Sequence, residues 1–147
     1  MATKTTIDQL NTLLRDELIA IATYGQALEG RSAYSGKTEL SLCQRSHEKR
    51  AEILREEIEI LGGVPAEKTG LRGVVASVVE GGAVVVGEGA ALRALEEWEE
   101  KELRDYLQRC DDLEPQARQI VKTRLLPEQL ETHRVMTDLK HRASAAD

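Results

Sequence analysis

Two glutamates stand inside apolar helical patterns, and the pattern around each is the same. Glu17 lies in LRDELIAIATY and Glu99 in ALEEWEEKELRDYL. Leucine or isoleucine occupies the positions seven and four before each glutamate and four after it, and tyrosine the position seven after it. On a helix these residues share one face, so each carboxylate points into the core. Such a carboxylate needs a proton, a counter-charge or a metal ion, because burying it alone costs several kcal/mol.

Each glutamate segment is followed by a segment that carries a histidine, His47 after Glu17 and His133 after Glu99. The face of His47 is apolar, whereas that of His133 is mixed, with Leu126, Leu130 and Met136 beside Gln129, Thr137 and Lys140. In each pair the two residues are about equally far from the intervening turn, so they lie at one height of an antiparallel hairpin. The sequence therefore predicts that all four side chains meet in the core.

Carboxylates and imidazoles that converge from facing helices are the usual ligands of metal sites inside helical bundles. We predict one Fe, Mn or Zn ion bound by Glu17, His47, Glu99 and His133. The alternative is a metal-free network in which protonated or ion-paired glutamates satisfy the histidines and the tyrosines. Four ligands around one ion leave no vacant position for a substrate, so the prediction does not extend to an enzyme.

Four helices must position these residues, at about 6–30, 38–61, 90–111 and 115–142, within a single domain of residues 1–147. Thr6 and Gln9 fit a capping box at the first helix. Gly62-Gly63, with Pro65 beyond, should end the second. Pro127 predicts a kink or break between Thr123 and Glu128. A Gly/Val-rich connection, 62–89, separates two short-looped helix pairs.

Four segments, in chain order, resemble the bacterial stand-alone ferritin-like domains of unknown function, which are related to rubrerythrin and bacterioferritin. They are LRDELIAIATY, SHEKRAEILREEIEILGG, ALEEWEEKELRDYL and LLPEQLETHRVMTDL. The resemblance implies an all-α, ferritin-like four-helix bundle of two antiparallel hairpins joined by a crossover. It also implies a metal site in the centre of the bundle, but it does not imply a reaction. The role that we predict is metal handling, or protection against oxidative stress if the metal is iron.

The sequence departs from the di-iron members of that superfamily, which carry Glu-x-x-His on the second and fourth helices. Gln44 and Leu130 occupy the two glutamate positions. A di-iron centre is therefore disfavoured relative to a single ion, with Glu96 as the first candidate for an additional carboxylate.

Net charge, cysteine content and hydropathy argue against several other classes of function. A formal net charge of −6 argues against a nucleic-acid-binding surface, which needs clustered lysine and arginine. Two cysteines and no apolar leader favour a reducing cytoplasm, and the most apolar run, 73–87, is shorter than the roughly 20 residues of a membrane span. The valine-rich connection could form a homodimer contact. A non-enzymatic structural or interaction bundle, binding its partner there, is the competing class.

Overall fold

The computed structural model describes residues 2–29, 36–68 and 87–145, and the regular structure in these ranges is helical. The helices are α1 (Ala2–Glu29), α2 (Lys37–Ile60), α3 (Gly87–Cys110), α4 (Pro115–Ile120) and α5 (Leu126–Ala145). A π-helical segment, Val121–Leu125, joins α4 to α5, so these three pieces act as the fourth rod of a bundle. The all-α class predicted from the sequence is confirmed for the described ranges.

The helices form two pairs that pack against each other. Helix α1 lies mainly on α2 and α3 mainly on α5, while α1–α3 and α2–α5 contacts join the pairs. Neighbouring helices are antiparallel, as side-chain contacts near both ends indicate: Gln9–Arg109 and Tyr24–Glu99 for α1 and α3, Lys49–Glu128 and Glu39–Arg142 for α2 and α5. Because the four rods pack around one core, side chains from the middle of each helix can contact one another there.

Helix α2 ends as its glycines predict. Gly62 adopts a φ of 85°, which a residue with a Cβ rarely adopts, and the Gly63 N–H bonds the Ile58 carbonyl. The chain beyond is held by Asn11 of α1, whose amide donates to the Val64 carbonyl and whose Oδ1 accepts the N–H of Ala66. The end of α2 is thereby tied to the N-terminal part of α1.

The start of α1 differs from the prediction. The helix begins at Ala2, so Thr6 lies inside it and is not its N-cap. Thr6 is fully buried, and its hydroxyl instead accepts the backbone N–H of Glu114, immediately before α4. The polar residue that suggested a capping box therefore joins two distant parts of the chain.

The helical geometry around Pro127 changes without a break. Proline lacks the N–H that would close an α-helical turn, and the preceding residues form a π turn in which the Leu126 N–H bonds the Val121 carbonyl. Val121 and Leu125 stay fully buried. A π turn adds a residue to the turn, so it changes which residues of α5 face the core.

Two sequence predictions fall largely or wholly outside the described residues. The connection at 62–89 is described only at its two ends, and the homodimer contact through its valines lies between them. Among the described helices, none combines the length and apolarity that a bilayer span requires.

Candidate functional site

Polar and charged side chains meet at mid-height in the otherwise aliphatic core. Helix α1 contributes Glu17 and Tyr24, and α2 contributes His47 and Arg50. The remaining members come from α3 and α5, and we call the whole set the core cluster: Glu17, Tyr24, His47, Arg50, Glu99, Glu102, Tyr106, Gln129 and Thr132. Each residue in it is at most 4% exposed, so water does not screen their interactions.

His47 lies between the two glutamates. Its Nδ1 is 2.6 Å from Glu17 Oε2, and its Nε2 is 2.6 Å from Glu99 Oε1. The structure thus brings together three of the four predicted ligands. It also joins the two helix pairs through one imidazole, since Glu17 belongs to the first pair and Glu99 to the second.

The two tyrosines cross between the helix pairs in a reciprocal way. Tyr24 of α1 donates to Glu99 Oε1 of α3, and Tyr106 of α3 donates to Glu17 Oε1 of α1, both at 2.6 Å. Burial, followed by the charge of the bonded glutamate, holds the pKa of each phenol well above its usual range. Both tyrosines therefore remain neutral donors to the carboxylates.

We expect Tyr24→Phe and Tyr106→Phe to lower the free energy of unfolding by similar amounts, about 1.5–3 kcal/mol each, as befits hydrogen bonds to charged groups. Chemical denaturation measures both. Thr12→Val removes a hydroxyl from a less critical position, where it bonds only the Asp8 carbonyl, and should change stability by no more than about 0.5 kcal/mol. A tyrosine variant as stable as the wild type would show that its hydroxyl is dispensable.

Arg50 is a buried cation that the sequence did not single out. Its Nη1 lies 3.3 Å from Glu17 Oε1, and its Nη2 lies 3.0 Å from His47 Nδ1 and 3.2 Å from Thr132 Oγ1. Nη1 also donates to the side-chain oxygen of Gln129. The guanidinium of Arg50 therefore pairs with the Glu17 carboxylate and donates hydrogen bonds to polar side chains of α5.

The charges determine which groups are ionised. Burial alone would raise the pKa of Glu17 and Glu99, but Arg50 and His47 outweigh it, and the pKa of both carboxyls lies below its ordinary value. Burial likewise opposes charging of His47, yet Glu99 and Glu17 raise its pKa above 6.5. Two carboxylates thus balance two cations.

Glu102 is the member of the core cluster that has a side-chain oxygen without a hydrogen-bond partner. Its Oε1 accepts the indole N–H of Trp98 at 2.7 Å, while its Oε2 is buried with no hydrogen-bond partner, 3.6 Å from His47 Nδ1. Burial, with the charge of Glu17 next, holds the pKa of Glu102 well above its usual range. Burial therefore favours the protonated form of Glu102, and its free oxygen lies near the imidazole.

Both carboxylate oxygens of Glu99 accept hydrogen bonds. Oε1 accepts from Tyr24 and faces His47, and Oε2 accepts from the Gln129 amide and the Thr132 hydroxyl, both at 2.8 Å. A carboxylate held in this way fixes the orientation of the imidazole through Nε2. The other ring nitrogen, Nδ1, is left to face Glu17 and Glu102.

His133 lies apart from these groups. It is half-buried, and its backbone carbonyl accepts the Thr137 hydroxyl. Gln129 and Thr132 are the α5 residues that contact Glu99. Glu96, the predicted additional carboxylate, forms an ion pair with Lys140 at 2.8 Å.

The donor set suitable for a metal ion is Glu17, His47 and Glu102, whose ligand atoms lie within 4.8 Å of one another. A tetrahedral ion with ligand bonds of about 2.0–2.1 Å holds its ligands about 3.3 Å apart, close to the 3.6 Å between His47 Nδ1 and Glu102 Oε2. The partnerless oxygen of Glu102 and the fixed imidazole fit an ion. Glu17 Oε2, which is 2.6 Å from His47 Nδ1, and Arg50, which is 3.0 Å from it, must both move away from Nδ1 to admit the ion.

Comparison with protein-family models, curated proteins and solved structures finds no match to this chain. The ferritin-like resemblance therefore stays a prediction from the sequence, and the functional argument depends on the core cluster itself.

Proposed function

We propose that the protein is a ferritin-like metal-binding protein that holds one divalent transition-metal ion with Glu17, His47 and Glu102. The observation that carries this proposal is Glu102 Oε2, a buried carboxyl oxygen with no partner, facing a histidine nitrogen. Carboxylate oxygen and imidazole nitrogen together suit Fe, Mn or Zn. Metal handling, or protection against oxidative stress if the ion is iron, would be the physiological role.

Charge balance supports an ion of charge +2. Without metal, the directions of the pKa shifts favour ionised Glu17 and Glu99, balanced by Arg50 and a protonated His47, together with a neutral Glu102. If His47 and Glu102 give up their protons, the three carboxylates exceed Arg50 by two negative charges. One divalent ion restores neutrality, so metal and protons can replace each other without leaving a net buried charge.

Metal titration tests the proposal. Purified protein, stripped of metal with a chelator, should bind one equivalent of Co²⁺ or Zn²⁺ by calorimetry. Glu102→Gln keeps the side-chain shape but removes a ligand, and should weaken binding by more than about 100-fold, beyond the 10–100-fold typical of groups that only orient ligands. Glu100→Gln, an exposed neighbour on the same helix, should bind as the wild type does. A wild-type protein that binds no metal refutes the proposal.

The competing function is a metal-free helical bundle that acts through its surface. The observation that favours it is Arg50, whose guanidinium already supplies a cation beside Glu17 and His47. In that case the core cluster only stabilises and specifies the packing of the two helix pairs. Saturating Co²⁺ or Zn²⁺ would then leave the thermal midpoint unchanged, whereas an ion that binds the folded protein must raise it.

A further inference from the structure

A second group of charged residues links the core cluster to the surface between α1 and α3. Lys101 Nζ lies 2.7 Å from Asp105 Oδ2 and 3.3 Å from Asp16 Oδ1. Side-chain exposure falls along this group, from 44% at Lys101 to 16% at Asp105 and 9% at Asp16. These three residues, together with Trp98, form what we call the α1–α3 port.

The port adjoins the core cluster through Trp98 and Asp16. Trp98 donates its indole N–H to Glu102 Oε1, and Lys101 lies over the same ring, 4.8 Å from its centroid. Asp16 directly precedes Glu17 in the chain. Carboxyl groups therefore follow one another from the largely buried Asp105, 16% exposed, to the fully buried Glu102.

Two buried oxygens along this line lack an N–H or hydroxyl donor within the described part of the chain. They are Asp16 Oδ2 and Glu102 Oε2, both shielded from solvent. The side chain of Asp16 also bonds the carboxyl of Asp105. Buried polar atoms without a hydrogen-bond partner are rare in folded proteins, and each needs an explanation such as a bound water, an ion or a functional role. One of these oxygens lies in the α1–α3 port and the other lies 3.6 Å from His47 Nδ1, so together they point to a route for a cation.

We propose that the α1–α3 port is the entrance by which a divalent metal ion reaches Glu17, His47 and Glu102, with Lys101 as a displaceable latch. This inference rests on the proposed metal site. In the closed state the ammonium of Lys101 pairs with Asp105 and Asp16. Burial and a hydrogen bond with Asp105 raise the pKa of Asp16 to about 8, so at neutral pH the two carboxyls carry about one negative charge between them, which Lys101 balances. An arriving ion competes for the same carboxylates, Lys101 swings outward on its flexible stem, and the ion moves on toward Glu102.

A latch leaves a kinetic signature that a purely structural ion pair does not. Lys101 neutralises the port equally before entry and after the ion has passed, so its removal should raise the association and dissociation rate constants together. The equilibrium constant should change little. Removal of a carboxylate that attracts the ion during its passage should instead lower both rate constants.

Stopped-flow mixing of metal-free protein with Co²⁺, and a chelator chase of the loaded protein, measure the two rate constants. In Lys101→Met both should rise about tenfold, with Kd within about threefold of wild type, and in Asp105→Asn association should slow about tenfold. Lys49→Met, which removes an exposed ion pair between α2 and Glu128 of α5, controls for the loss of one positive charge. Lys101→Arg retains the charge and guards against a folding defect, which circular dichroism would reveal.

Ionic strength separates a latch from general attraction. At about 1 M salt, where screening extends over about 3 Å, the effect of Lys101→Met should persist while that of any distant charge disappears. Wild-type protein that binds Co²⁺ with rates insensitive to Lys101 and Asp105 would overturn the entrance but leave the metal site intact. Wild-type protein that binds no Co²⁺ would overturn both proposals.

Discussion

Arg50→Met is expected to lower the free energy of unfolding by about 3–5 kcal/mol in metal-free buffer. Arg50 is fully buried, and its guanidinium contacts Glu17, His47, Gln129 and Thr132. Methionine fills much of the same space but leaves Glu17 without its buried counter-charge. Removing one partner of a buried ion pair is far more costly than the pair itself is stabilising, because the remaining charge stays desolvated.

Urea denaturation with a matched control measures this effect. Arg45→Met makes the same replacement on an exposed position of α2 and should change stability by no more than about 0.5 kcal/mol. The metal proposal adds a second expectation: Co²⁺ should restore more stability to Arg50→Met than to the wild type, because the ion supplies the missing charge. A loss no larger than that of Arg45→Met would contradict the role assigned to Arg50.

Metal affinity is expected to fall steeply as the pH falls. An ion must displace the proton from His47 Nδ1 and from Glu102, and both groups have a pKa above the ordinary value. Below pH 6.5, the ordinary pKa of histidine, His47 keeps its proton, so acidification favours the metal-free form. Each proton displaced makes Kd rise about tenfold per pH unit, and two make it rise about 100-fold.

Calorimetric titrations at several pH values, in buffers that differ in ionisation enthalpy, count the protons released directly. Glutamine at position 102 has no proton to displace. The Kd of Glu102→Gln should therefore change about tenfold less per pH unit than the Kd of the wild type. An affinity that stays constant between about pH 5.5 and 6.5 would mean that His47 is not a ligand.

The sequence predicted much of this molecule because several patterns pointed the same way. The repeat around Glu17 and Glu99 placed both carboxylates in the core, and the buried face of α2 placed His47 between them. The glycines after α2 marked its end. Such periodic and local signals need no knowledge of the tertiary structure.

The placement of His133 depended on a regular helix across Pro127. Residues Ala117, Val121, Leu125 and Gln129 are all buried at a spacing of four, which the π segment allows. An uninterrupted α-helix would drift by about 40° over each such step. The extra residue in the π turn therefore directs Gln129 and Thr132 toward Glu99, while Leu130 is 51% exposed.

An internal signal pointed to these two residues. The sequence offset that relates Glu17 to Glu99 also relates His47 to Gln129 and Arg50 to Thr132. The second helix pair thus has uncharged side chains at the positions where the first has a histidine and an arginine. This asymmetry explains why a single imidazole and a single guanidinium serve both glutamates.

Arg50 and Glu102 were missed for a different reason. Arginine and glutamate are common on solvated helix faces, and the runs HEKRAEIL and EEWEEKELRD contain several charges each. The repeat around Glu17 and Glu99 does not include Arg50 or Glu102, so periodicity did not separate these two residues from the exposed charges of the same runs. Only the tertiary contacts, with Glu17 for Arg50 and with Trp98 for Glu102, identify them.

The most direct test of the central claim is an anomalous-scattering map from crystals grown with Co²⁺ or Zn²⁺. We expect one peak in the bundle core, about 2.0–2.2 Å from His47 Nδ1 and from carboxylate oxygens of Glu17 and Glu102, with Arg50 moved away from Nδ1. A core without a peak, with Arg50 still against His47 in crystals saturated with metal, would contradict the metal site.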